Sequence, residues 1–358
     1  MTKMKFRKLM AAFFLISVTF SMCSVAFAQQ VYKIKMSYNG PPNAEKNAVH
    51  LFAKNLQRLV SIRTNDQVQI VLYPHSQLGA EEQRMQKTLN EPLINVASFA
   101  GLAPVFLQIY AANIPFMFNS YSAAHHFFDN SRFWQKAQES FEQETGSYLL
   151  EAVEEGGFLA ITNSKRPIHK PEDFKGLKFR AMAESQKTIY KAFGASGTSI
   201  PWARVYSALE NKSVDGQMNP PMYILLADLY EVQKYMTLAN IAYSPQFLIV
   251  NGKWLDNLPA EFQKALIKAA HDANEINRIE VETLVTQRIR ALADKGLEIY
   301  HPDAKEIQAF HDQGQPAYLK WLQKQVDQEW IKTALDSAKK SSDLSITCEK
   351  RLFNGASK

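Results

Sequence analysis

Cysteine is almost absent: two in 358 residues, Cys23 and Cys348. Cys23 falls within a leader-like segment, which leaves Cys348 alone. An intrachain disulfide is therefore not expected, and the fold must be held by its cores. An excess of charge of one sign is lacking too. The formal net charge is +6, but Lys3, Lys5, Arg7 and Lys8 open the chain with no acid among them; the remainder holds 37 basic against 35 acidic residues. That balance gives no reason to expect nucleic acid or an acidic membrane surface as partner.

Apolar runs long enough to span a membrane are also missing. Leu9 to Phe20 is apolar but short, and small residues ending in Ala26-Phe27-Ala28 follow it. A basic start, a short apolar run and an Ala-x-Ala site predict a signal peptide, residues 1–28, cleaved before Gln29. Phe20-Ser21-Met22 is a poor approach to a lipidated Cys23. From Phe99 to Phe118 only Gln108 and Asn113 are plainly polar, yet Gly101, Pro104 and Pro115 interrupt the run. It reads as a buried helix and strand rather than a span.

Catalytic and metal signatures are missing as well. There is no His-Glu-x-x-His, no Cys-x-x-Cys and no phosphate-cradling glycine loop. Gly194 to Gly197 (GASG) lacks the spacing of a nucleophile elbow. His125 and His126 would point about 100° apart on a helix, so they read as a solvated or core pair. His301 and His311 flank an acidic surface stretch. Glu154-Glu155 is the one candidate acid/base pair, and it reads as a solvated run. No metal, no cofactor and no enzymatic activity are expected.

What is present is an ordinary globular composition, 46% hydrophobic and 21% charged. The length fits about two domains. Tyr32, Ile34, Met36 and Tyr38 alternate with lysines as a half-buried strand. Helix is expected over 44–60, strand over 68–73, helix over 81–89 and strand over 93–99. This β-α-β-α-β order implies a mostly parallel sheet, with ligands beyond the carboxyl ends of its strands, at the loop from Tyr38 to Asn43 and near Ser98 to Gly101. The second half repeats the theme, with strands near 158–162, 177–182 and after Asp215, and helices at 184–193 and after Pro201. Pro259 to Lys295 is a run of 37 residues with no proline after the first and no glycine before Gly296. Phe262, Leu266, Ala270, Ala273, Ile276, Ile279 and Leu284 recur at helical spacing, so one long helix is expected. Two α/β units without catalytic residues point to a binding protein that closes around a ligand.

Several motifs sharpen this. Asn163 to Ile168 (NSKRPI) and Pro171 to Arg180 (PEDFKGLKFR) lead them. Tyr73 to Gly79 (YPHSQLG), Val205 to Leu209 (VYSAL), Val214 to Pro220 (VDGQMNP) and Tyr230 to Tyr235 (YEVQKY) follow in order. Together, over roughly 31–310, they resemble the solute receptors of tripartite ATP-independent periplasmic (TRAP) transporters. The resemblance implies an α/β, two-domain periplasmic-binding-protein fold with a cleft between domains and a long helix spanning both. It implies domain I at 29–155 plus about 241–280, domain II at 156–240 plus about 281–340, and a C-terminal tail at 341–358. The implied partners are a small organic acid and the TRAP membrane subunits, with a monomeric receptor in the periplasm.

The resemblance also implies a site. Arg180 would grip the ligand carboxylate, which a planar guanidinium holds by two parallel bonds; a structural pairing with Asp173 is the alternative. Asn219 would support the same carboxylate, or merely form the turn before Pro220. Trp202 would wall the cleft, or pack under the next helix. Asn39 lies in the first ligand loop. Many relatives carry a second arginine at the place of Leu159, within Gly157 to Thr162 (GFLAIT). Leu159 and Phe99 therefore lead us to expect a monocarboxylate with an apolar or aromatic portion, unless Leu159 points into the core. A dicarboxylate requires another donor, such as Lys178. A ligand sensor shares the same cleft, and an enzyme on carboxylated substrates would have to use Glu154-Glu155.

Overall fold

The structure is a computed structural model that describes residues 30–355, with side chains to residue 345. The expected signal peptide, Cys23 and the side chain of Cys348 lie outside the described residues. The first sheet runs β2-β1-β3-β10-β4. Its strands are β1 (Tyr32–Ser37), β2 (Val68–Tyr73), β3 (Leu93–Ala97), β4 (Tyr148–Phe158) and β10 (Tyr243–Val250). β1 pairs in parallel with β2 and β3, as the alternating order predicted, while β10 runs antiparallel between β3 and β4. The second sheet runs β11-β9-β5-β8-β6-β7. It contains β5 (Ala160–Asn163), β6 (Lys178–Ala181), β7 (Ser196–Ser199), β8 (Gly216–Asn219), β9 (Tyr235–Thr237) and β11 (Glu298–Tyr300).

Helix α1 (Ala48–Arg63) starts later than its apolar pattern. Asn43 holds the preceding turn by accepting from the Glu45 and Lys46 amides, and Asn47 caps the helix through Val49 N. α2 (Glu81–Asn90) follows β2. The apolar run from Phe99 holds no strand. It forms a short α3 (Phe99–Leu102) and a 3-10 turn (Leu107–Asn113), because Pro104 and Pro115 remove ladder donors. Its apolar side chains nonetheless enter the core. Helices α4 (Tyr121–Asn130) and α5 (Arg132–Thr145) cover the first sheet, and α6 (Glu184–Ala192), α7 (Val205–Glu210) and α8 (Pro221–Leu226) belong to the second half. α9 (Gly252–Asp256) leads into α10 (Ala260–Asp294), whose 35 residues make a rod about 52 Å long. Phe262, Leu266 and Ala273 of α10 pack in the core under β1–β3, whereas Leu292 packs in the core of the second sheet. α10 thus ties the two halves together.

α11 (Ala304–Leu322) packs against α6. α12 (Gln328–Gly355) runs through the segment expected as a tail and packs on α4 and α5. Among the described residues no helix is long and apolar enough to cross a membrane. The chain passes between the sheets from β4 to β5, from β9 to β10, and along α10. A large apolar cluster, including Phe99, Phe247, Tyr243, Leu159 and Phe179, fills the space where the two halves meet.

Candidate functional site

Parallel pairing decides which residues meet at the second sheet's edge. β6 lies beside β8 and β7, so their carboxyl ends bring together Arg180, Asn219 and the Ile200–Trp202 turn. β5 runs antiparallel to β8 with Ala160 opposite Asn219, which places Leu159 at the same edge. The first sheet ends in Asn39 after β1, Ser98 and Phe99 after β3, and Glu155 and Gln246 on the antiparallel β4 and β10. The crossings join these two edges.

Arg180 is 4% exposed. Its Nε donates to Ile200 O at 2.9 Å, and its carbonyl accepts from the Tyr190 hydroxyl at 3.1 Å. Among the described residues its two terminal nitrogens meet no hydrogen-bond partner. The expected alternative, pairing with Asp173, does not occur: Asp173 accepts from the His169 and Lys170 amides instead. Burial pushes the guanidinium down to about 10, against the fields of Tyr190, Glu81 and Glu155. A buried, open fork of this kind is suited to a bidentate anion.

Asn219 donates one amide hydrogen to Gln217 Oε1, and Gln217 in turn donates to Thr162 Oγ1 at 2.8 Å. This chain fixes the Asn219 amide beside the Arg180 edge. Trp202 is half-buried, edge-on to Tyr223 at 5.2 Å. Asn39 is fully engaged: it donates to Glu81 and accepts from Ser76 Oγ (2.7 Å) and Arg84 Nη1 (2.9 Å). Phe99 and Leu159 are 0% and 3% exposed and lie in the apolar cluster, Phe99 against Phe247 at 4.9 Å. Lys178 is exposed at the start of β6 and is no second anchor.

The glutamates expected as a solvated run are buried, and this corrects that expectation: Glu154 is 0% and Glu155 5% exposed. They face different surroundings. Glu155 accepts from Ser244 Oγ (2.6 Å) and Gln246 Nε2 (2.5 Å) and from the Tyr223 hydroxyl. Burial pushes its carboxyl up to about 7 despite these donors. Glu154 accepts from the Gly156 and Gly157 amides (2.8 and 2.7 Å) and the Tyr243 hydroxyl (2.6 Å), and touches His125 Nε2 at 3.2 Å. Burial alone would raise it, but His125, Tyr243 and the Gly156 amide outweigh burial and hold it below the ordinary range. The two therefore do not form a facing acid/base pair.

Sequence reasoning missed the first sheet's acidic lining. Glu81, at the first turn of α2, accepts from Asn39 and from Ser98 Oγ. Buried Arg84 lies beside it, but its donors go to Asn95, Asn39, Gly79 O and Val96 O. The signal available was an acid opening a helix just beyond a strand's carboxyl end. Elsewhere Asp129, Glu151 and His271 approach within 4.8 Å of one another. Asp129 is closed by Arg278 at 2.7 and 2.9 Å, and Glu151 accepts from Asn274. A surface groove of about 480 Å³ beside Pro104 and Trp330 contains none of the residues at the sheet edges.

Comparison with known proteins bears on this geometry. Residues 40–325 match the family model described as bacterial extracellular solute-binding protein, family 7. The 2,3-diketo-L-gulonate-binding periplasmic protein YiaO of Escherichia coli K12 is 31% identical over 265 residues, 73% of this chain and 79% of that protein. The C4-dicarboxylate-binding periplasmic protein DctP of Rhodobacter capsulatus is 28% identical over 294 residues, 77% of this chain and 82% of that protein. Among solved structures, a TRAP periplasmic solute-binding protein from Polaromonas sp. JS666, bound to D-erythronate, superposes with a TM-score of 0.77 at 26% identity, covering 86% of this chain and 98% of that one.

Proposed function

Because the chain belongs to the family-7 bacterial extracellular solute-binding proteins, the solute receptors of TRAP transporters, we propose that it captures an organic acid by its carboxylate and delivers it to the TRAP membrane subunits. The observation that carries this reading is the buried Arg180 fork with no partner at its terminal nitrogens. An anion docked there pairs a guanidinium whose body is buried and whose terminal nitrogens stay open. Asn219 offers its second amide hydrogen to the same carboxylate, and Trp202 gives the ligand an apolar wall. Asn39, Phe99 and Leu159 support the edge from behind. With one open cation, a single carboxylate is the preferred charge.

On this reading the receptor works as a monomer in the periplasm, beginning at Gln29 once residues 1–28 are removed. Domain I takes 29–155 with about 241–280, and domain II takes 156–240 with the chain after about 281, α12 returning to brace domain I. The protein performs no chemistry: Glu155 is held by three donors, and Glu154 serves the crossing. A thermal-shift screen of organic acids tests the proposal. An acid at a hundredfold excess over its dissociation constant adds about 2.7 kcal/mol to stability. A screen in which no carboxylic acid raises the melting temperature overturns it, and mass spectrometry finding residues 1–28 retained overturns the processing claim.

A further inference from the structure

After α10 the chain returns to the first half once more. β11, ending at Tyr300, belongs to the second sheet, whereas α12, starting at Gln328, packs on α4 and α5 of the first half. α11 (Ala304–Leu322) lies between them. Its two ends hold different halves. In its first part Phe310 packs on Phe174 and Phe193, with ring centroids 6.3 and 5.6 Å away, and Gln313 Nε2 donates to Ala192 O at 2.6 Å. These partners belong to the second half. In its last part Gln315 Nε2 donates to Pro115 O at 2.6 Å, the Tyr318 hydroxyl donates to Tyr110 O at 2.9 Å, and Trp321 meets Tyr110 edge-on at 5.3 Å. These partners belong to the first half.

The changeover falls on Gly314-Gln315-Pro316, where the sequence itself weakens a helix. Pro316 stands inside α11 and has no N–H for the Asp312 carbonyl, which its ring also crowds. Gly314 adds backbone freedom next to it. Gly314 also lies between one ring from each half: a Cβ there would come within 3.0 Å of Phe193 Cζ and 3.8 Å of Phe116 Cε2. Phe116 is held over the break by a left-handed backbone, φ 58°, and by its amide's bond to Ile241 O at 2.7 Å; its ring reaches His311 at 5.8 Å.

We propose that Gly314-Gln315-Pro316 is a further hinge, at which α11 bends so that its first part travels with the second half while its last part stays with the first. The inference rests on a receptor whose halves close on a ligand. If α11 moved as one rod with the second half, closure would break the bonds of Gln315 and Tyr318. If it stayed as one rod with the first half, closure would break the bond of Gln313 and the packing of Phe310. A bend at Pro316 keeps both sets intact.

Double electron–electron resonance on the purified protein tests this, with nitroxide pairs in a Cys348→Ser background. Lys305→Cys marks the start of α11, Lys320→Cys its end, Glu139→Cys the first half and Glu210→Cys the second; all four positions are exposed. Distances are read without ligand and with D-erythronate and succinate together. The pairs 305–139 and 320–210 are expected to give broad distributions that the acids shift, and the pair 320–139 a narrow one that stays fixed. Pro316→Ala restores the missing N–H, and is expected to raise the melting temperature while shrinking the acid-induced shift of 305–139. A 320–139 distance that shifts together with 305–139 makes α11 a rod carried by the second half. A fixed 305–139 distance beside a shifting 320–210 makes it a rod carried by the first. Either result overturns the hinge and leaves the Arg180 reading standing, as does an undiminished shift in Pro316→Ala. Three narrow distributions that neither acid moves overturn closure itself, and the hinge falls with it.

Discussion

Arg180 and Glu155 show what burial does to charge of either sign. Burial disfavours both ionised forms: the guanidinium is pushed down to about 10 and the carboxyl up to about 7. Arg180→Lys keeps a cation but loses the bidentate fork, and is expected to weaken acid binding strongly. Arg180→Ala removes the pairing altogether, and its expected cost is about 3–5 kcal/mol of binding, roughly a 10²–10³·⁵-fold loss. Calorimetry finding wild-type affinity in both folded variants refutes the anchor. Glu155 makes a prediction in pH. Its carboxyl lies above its ordinary 4.5, so between about 4.5 and 7 the native state binds more protons than the unfolded chain. Its contribution to stability is full below about pH 4.5 and is lost as pH rises through about 7, a span on the order of 3 kcal/mol. Glu155→Gln removes this slope, so the variant gains on wild type as pH rises from 5 to 7. Melting curves at several pH values with a constant difference between the two proteins count against it.

At the scale of elements, the crossing from β4 to β5 is the most constrained piece of backbone. Gly156 and Gly157 have φ of +153° and +82°, conformations that side chains rarely adopt. A Cβ on Gly157 would sit 2.0 Å from the Tyr121 hydroxyl. Glu154 binds both glycine amides and reaches Tyr243 in the second crossing, while Asn277 of α10 donates to the Glu154 carbonyl. One buried residue, Glu154, thus joins all three connections, two through its carboxylate and α10 through its carbonyl. Gly157→Ala is expected to lower stability by about 1–3 kcal/mol from backbone strain alone. Denaturant titration showing an unchanged midpoint refutes the constraint. The same region marks the limit of what sequence shows. α10 is legible to within a residue or so, since its apolar period persists from Phe262 onward and Pro259 and Gly296 bracket it. β1, β2 and β3 are legible from alternation or compact apolar runs. β4 is not, because Glu151, Glu154, Glu155 and two glycines break every strand pattern, and only tertiary donors make burying those acids tolerable. α12 escapes for a related reason: past Ala338 its buried positions are Ser341 and Ser345, so the polar residues face the core and Leu344 does not. Arg180 and Asn219 are legible through motif resemblance, whereas the acidic lining opposite them depends on burial that no local pattern announces.

Considered as a whole, the molecule is built to bend at few points. Each sheet has its own core, and α10 contributes to both. α12 braces the first half through Lys136 with Glu329 at 2.7 Å, His126 with Ser341 at 3.0 Å and Ser120 with Ser345 at 3.2 Å. Closure is therefore expected to hinge at the crossings and to bring the edge with Arg180 toward the edge with Glu81 and Glu155. A ligand can shift that equilibrium only by binding the closed form better, and Arg180 supplies the difference when the anion it holds is also reached from the opposite edge. Small-angle scattering is expected to show a smaller radius of gyration with saturating acid. Arg180→Ala should show no change at the same acid concentration, because its loss of affinity leaves the cleft empty. Glu81→Gln separates closure from capture. If Glu81 meets the ligand only in the closed form, this variant keeps the acid on Arg180 but gives a smaller contraction than wild type. A radius that stays fixed in wild type at saturation refutes closure, and an equal contraction in Glu81→Gln assigns the closing force to the Arg180 edge alone.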